Sequence, residues 1–94
     1  MLEWGEEEIP DTVEAAEVIT DARGRIDAID DRIIGLVQER MAVSARIQKS
    51  RIASGGRRVN LSREMAVLDR YQEVFGKRGT ALAMTLLELC RGQV

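Results

Sequence analysis

Histidine is absent from this sequence, and with it the side chain that most often moves protons near neutral pH. That absence excludes a Ser-His-Asp triad, a Cys-His nucleophile pair and a histidine-bound zinc. A single cysteine, Cys90, excludes an internal disulfide and fits a reducing compartment. Aromatic residues make up only 3% of the chain, so a core has to be built from Ile, Leu, Val, Met and Ala. The lone proline, Pro10, stands near the start and leaves the remainder free of its helix-breaking effect. No apolar run approaches a membrane span, and the opening "MLEWGEEEIP" has neither the basic nor the apolar region of a signal peptide. The expectation is one cytoplasmic domain, not inserted in a membrane.

Charge is plentiful but unevenly placed. The net charge is −2, yet residues 1–22 carry eight acids and no base. Residues 23–94 carry fourteen bases against eight acids, a surplus of six positive charges, and twelve of the bases are arginine. Such a surface attracts anions. Arginine offers a planar fork that meets a carboxylate with two hydrogen bonds, as lysine cannot. Codon bias in a GC-rich genome is the competing explanation for the arginine count.

The periodicity is helical throughout, and no segment alternates with period two. An acidic extension, residues 1–19, precedes the body of the chain, with residues 1–11 reading as a solvated tail. From Thr12 or Asp21 to Ala53 runs one uninterrupted helical pattern, with Ile26, Ile29, Ile33, Leu36, Val43 and Ile47 as its stripe. Ser54 to Gly56 end it. A second helix starts near Asn60 or Ser62, with Leu61, Met65, Leu68, Tyr71 or Gln72, and Phe75 as its core face. "GKRG", Gly76 to Gly79, breaks it. A third helix, roughly Thr80 to Arg91, puts Leu82, Leu86, Leu89 and Cys90 on one face. The fold class is all-α: a three-helix chain with one long N-terminal helix. That helix would rise about 50 Å between Asp21 and Ala53, while the other two reach about 20 Å each. They cannot cover it, so an intertwined homodimer is expected.

Positions 26, 33, 40 and 47 fall on one seam and read Ile, Ile, Arg, Ile. Arg40 thus puts a charge where the pattern demands a hydrophobe, and a buried arginine needs an anionic partner. Pairing with a structural carboxylate, or snorkelling to the surface, would also account for it. Arg51 lies eleven residues on and points the same way, about 16 Å along the axis, which leaves a gap suited to a small dianion. Lys49 is on another face. Arg23 is too far from Arg40 to join it within one chain; it is a surface residue, or it reaches the site of a partner chain. In the first turn of the second helix Glu64 suits the helix dipole and Arg63 opposes it. A local conflict beside other arginines is characteristic of functional sites. There is no metal cluster, no cofactor-binding loop and no base for Cys90, which reads as a small core residue. What remains is chemistry by binding, shape and electrostatics.

The stretch "ARGRIDAIDDRIIGLVQERMAVSARIQKSRIASGGRRVNLSREMAVLDRY" resembles the all-helical, AroQ-type chorismate mutases, in particular their short actinobacterial subgroup. The R-x-x-I-D-x-I-D opening, the ER of the long helix, the K-x-R before the turn and the SRE after it fall in family order. The likeness covers residues 20–94. It implies an intertwined homodimer that converts chorismate to prephenate in phenylalanine and tyrosine biosynthesis, without a cofactor or metal. It implies that Arg40 and the partner's Arg23 grip the two carboxylates, and that Arg51 faces the ether oxygen. Glu64 would accept the ring hydroxyl, Arg63 would line the pocket and orient Glu64, and Asn60 would contribute backbone contacts. Better-studied members place a glutamine and, one turn earlier, a serine on the third helix; Val94 and Cys90 align with them here. Valine donates no hydrogen bond, so half of the ether-oxygen clamp is missing. Short relatives with this gap are weak alone and gain activity in complex with DAHP synthase, which makes that enzyme an expected partner.

Isochorismate pyruvate-lyase and aminodeoxychorismate mutase activities use the same scaffold and the same carboxylate grip, and remain alternatives. A non-enzymatic helical interaction module is a more distant one. Nucleic acid is not an expected partner: the basic residues form no single stripe, and stacking aromatics are scarce.

Overall fold

The computed structural model describes residues 12–56 and 59–92. Three helices follow one another: α1 (Val13–Ala53), α2 (Leu61–Phe75) and α3 (Lys77–Arg91). Among the described residues there is no strand, and no helix is long and apolar enough to cross a membrane. The expected tail at residues 1–11, the Arg57–Arg58 part of the interhelical turn, and Val94 lie outside the described residues.

Side chains cap the starts of α1 and α2, and backbone N–H groups close their ends. Of the two starts open to α1, the chain uses the earlier: the Thr12 hydroxyl oxygen accepts a hydrogen bond from the Ala15 N–H at 2.9 Å. At its other end the Gly55 N–H reaches the Ile52 carbonyl at 3.1 Å and the Gly56 N–H reaches the Arg51 carbonyl at 2.7 Å. This is a Schellman ending, and it requires the positive φ of 80° that Gly55 supplies. Asn60 caps α2, its side-chain oxygen accepting from the Arg63 N–H at 3.0 Å.

The chain divides into two units, Met1–Ile34 and Gly35–Val94. The described part of the first is the N-terminal half of α1. It buries nothing: Ile26, Ile29, Ile33 and Ile34 are all about half exposed. The second unit contains the core. There α2 and α3 pack on each other as an antiparallel pair, with Val67, Ala83 and Leu87 at the centre and Leu68 and Tyr71 against them. Leu86 and Cys90 complete the buried set.

Three details of the helical pair depart from the periodicity reading. The break after α2 is Gly76 alone, at φ 71°, so α3 starts at Lys77 rather than Thr80 and Gly79 lies inside it. Gly79 belongs there for a steric reason: a Cβ at this position would overlap the Tyr71 carbonyl and the Phe75 Cβ. The buried face of α3 is also turned from the expected one. It follows Gly79, Ala83, Leu86, Leu87 and Cys90, while Leu82 and Leu89 are exposed. On α2 only Val67 is buried, and Leu61, Met65 and Phe75 are exposed at 73%, 57% and 61%. Periodicity marked where large aliphatics cluster. Close approach of the two helices instead selected the face that carries Gly79 and Ala83, where the backbones can meet, with Leu86, Leu87 and Cys90 following on the same side.

Candidate active site

The second unit contains an open cavity of about 230 Å³, bounded by the C-terminal half of α1, the start of α2 and the end of α3. Arg40, Arg51, Asn60, Arg63, Glu64 and Cys90 all line it. Arg23, in the first unit, does not; it is exposed on α1.

Local structure explains how these side chains arrive together. The glycine-dependent ending of α1 halts the helix just after Arg51 and leaves that residue in its last turn. Arg40 lies three turns earlier on the same face and is partly buried. Its Nη1 donates to the Cys90 sulfur at 2.8 Å, so the charge on the apolar seam meets a soft acceptor rather than a carboxylate. Cys90 is buried and reduced. Asn60, by capping α2, fixes the direction in which Arg63 and Glu64 leave the first turn.

Two lining residues were not singled out by sequence. Arg91 closes the rim from the last turn of α3 and makes a two-pronged ion pair with Glu64. Its Nη2 is 2.6 Å from one carboxylate oxygen and its Nε 3.3 Å from the other. The structure thus pairs Glu64 with Arg91 rather than Arg63. The bond and charge of Glu64 raise the Arg91 guanidinium above its ordinary pKa, so this cation stays charged at any working pH. A separation of 27 positions in the sequence hides the pair from any local motif. Gln48, one turn before Arg51, lines the same cavity with a buried Oε1 that has no hydrogen-bond partner. Its signal in the sequence was only a polar residue beside the stripe.

Four arginines and one carboxylate therefore face one small cavity. Among the described residues no group of three or more acidic, cysteine or histidine side chains is placed to hold a metal. Such a site can bind a compact polyanion, fix its conformation and stabilise charge that develops on it. With no histidine available, it is unsuited to proton shuttling.

An all-helical chain carrying an arginine-lined anion pocket is the class that fold and site define. The chain belongs to the chorismate mutase type II family, whose model matches residues 22–87; its members are isomerases that convert chorismate to prephenate. The chain is 46% identical over 89 residues to an intracellular chorismate mutase of Mycolicibacterium smegmatis, covering 95% of this chain and 86% of the relative. It is 49% identical over 72 residues to the intracellular chorismate mutase of Mycobacterium tuberculosis, covering 77% of this chain and 68% of the relative. Among solved structures it resembles one from Corynebacterium glutamicum with a TM-score of 0.80 and 36% identity, over 88% of this chain and 99% of that one. That structure is a non-covalent complex of DAHP synthase and chorismate mutase with a bound transition-state analogue. The lyase and amino-substrate alternatives find no support in these relatives.

Proposed function

We propose that the cavity is the site where chorismate rearranges to prephenate, and that its arginines and Glu64 perform the catalysis without a cofactor. The observation that carries this reading is the convergence of Arg40, Arg51 and Arg63 with Glu64 on one cavity in a chain without histidine. The reaction is an intramolecular Claisen rearrangement. One C–O bond breaks while one C–C bond forms, and no proton changes place. Binding the reactive conformer and stabilising its charge are all that is required.

Arg40 holds one substrate carboxylate, and its tether to Cys90 limits the rotamers it must give up on binding. Arg51 faces the ether oxygen. Negative charge gathers there as the bond stretches, so a fixed cation favours the transition state over the ground state. Glu64 accepts the hydrogen bond of the ring hydroxyl and thereby selects the diaxial conformer. Arg63 lines the pocket wall, Asn60 sets the geometry of the turn, and Cys90 borders the substrate.

The second carboxylate is assigned to the partner's Arg23 in an intertwined homodimer. The stripe on α1 supports this: Ile26, Ile29, Ile33, Leu36, Val43 and Ile47 are all close to half exposed or more, on a helix that buries no residue. Covering the exposed half of each of these side chains with a second copy would contribute about 1 kcal/mol. A complex with DAHP synthase is the second assembly we propose, by likeness to the Corynebacterium glutamicum complex. It would make good the hydrogen-bond donor that Val94 cannot supply. We place the enzyme in the cytoplasm, where the relatives named intracellular would act.

The test is chorismate consumption by the purified protein, with the product identified, alongside Arg51→Ala and with added DAHP synthase. Prephenate from the wild type, lost at least about 100-fold in the variant, is the expected result. Pyruvate as product, or no consumption with either preparation, would overturn the reading.

A further inference from the structure

We propose that Arg91 is a positioning residue for the reaction, its guanidinium holding the Glu64 carboxylate where that group meets the substrate's ring hydroxyl. The inference rests on the role given to Glu64 above. It starts from an electrostatic difficulty in the pocket. Among the described residues, Glu64 is the only carboxylate that lines the cavity, which it shares with Arg40, Arg51 and Arg63. A flexible glutamate in that company would fold onto one of them. It would neutralise a cation needed for the dianionic substrate and withdraw its own oxygens from the hydroxyl.

Arg91 gives Glu64 a partner outside that set. It stands at the rim with 43% of its side chain exposed, whereas Glu64 is exposed by only 18%. The cation given to the pair is therefore an exposed one at the rim, and the partly buried Arg40 and Arg51 stay available to a bound dianion. The contact is two-pronged, one hydrogen bond to each carboxylate oxygen. That geometry fixes the plane of the carboxylate and leaves a lone pair on each oxygen for a substrate donor. Lysine, a point charge, would supply the attraction without the plane.

The placement of Arg91 is itself secured. It is the last residue of α3, followed by Gly92 at φ 78°, and its neighbour Cys90 is buried against the helical pair. The antiparallel packing of α2 and α3 sets the first turn of one beside the last turn of the other. A carboxylate at a helix N-terminus and a guanidinium at a helix C-terminus are each favoured by their own dipole. The same final turn holds Arg40 through Cys90 and Glu64 through Arg91, so two pocket groups take their positions from two consecutive residues. A pair this exposed adds little to stability, so its removal leaves the fold intact.

The test is a double-mutant cycle on kcat/KM for chorismate with Arg91→Ala, Arg91→Lys, Glu64→Ala and Glu64→Ala/Arg91→Ala, with circular dichroism confirming the fold of each. Arg91→Ala should lower kcat/KM about 10- to 100-fold, with Arg91→Lys between it and wild type. The double variant should be no slower than Glu64→Ala. A merely structural role would carry its loss into the Glu64→Ala background. An additive loss, or an Arg91→Ala enzyme as active as wild type or more so, overturns the proposal. The contact is also read without substrate, from the 15N–1H resonance of Arg91 Nε, which should shift in Glu64→Gln. A wild type that forms no prephenate sinks the functional reading alone; a resonance unmoved by Glu64→Gln sinks this inference, whatever the activity.

Discussion

The two units are built on opposite terms. The pair of α2 and α3 satisfies itself: small residues let the helices meet, and Val67, Ala83, Leu86, Leu87 and Cys90 are buried. The N-terminal half of α1 carries an apolar stripe, yet leaves Ile26, Ile29 and Ile33 about half exposed. A clear apolar stripe and a finished core are therefore different things. The stripe shows that a surface will be covered. Only the size of the side chains shows whether the covering can come from a close helix within the same chain.

The largest effect expected from disturbing this contrast is at Ile33. If the proposed homodimer forms over this stripe, Ile33→Glu on the unfinished side should dissociate it, seen as a halved mass in sedimentation, and abolish turnover by removing the Arg23 assigned to the partner. A glutamate on a face that stays open to water would change neither. On the finished side Leu87→Ala should cost about 2–5 kcal/mol in urea unfolding, through the cavity it leaves in a close-packed core. Asn60→Ala comes next, at about 1 kcal/mol from the lost cap, with a fall in kcat/KM as the first turn of α2 loosens. Smallest is Lys49→Ala, within about 0.5 kcal/mol of wild type, because Lys49 is exposed and does not line the cavity.

These contrasts also show what the sequence could reveal. Helix type and number and the glycine ending after Arg51 were legible, and the cap of α2 was narrowed to Asn60 or Ser62, since each depends on residues a few positions apart. So was the grouping of Arg40 with Arg51, from the turn of one helix. The faces of α2 and α3 were legible in part: Leu68, Tyr71, Leu86 and Cys90 pack in or against the core as expected, whereas Leu61, Met65, Phe75, Leu82 and Leu89 are exposed. The helices instead meet where Gly79 and Ala83 permit it. Arg91 was missed for a related reason. Its partner Glu64 is adjacent only once α2 and α3 pack antiparallel, and nothing near either residue announces the other. Gln48 was not singled out, since a lone polar residue beside the stripe carries no local signal, yet its Oε1 is buried without a partner.

The account as a whole holds that each arginine pocket is completed by a second chain, and subunit complementation tests this most directly. Arg23→Ala and Arg51→Ala are each expected to be nearly inactive. Unfolded together and refolded as a mixture, they form mixed dimers in which one site has both arginines intact and the other has neither. Prephenate formation should then recover to about a quarter of the wild-type rate, from half the dimers carrying one good site of two. A mixture no more active than its components, or an Arg23→Ala enzyme as fast as wild type, would contradict it.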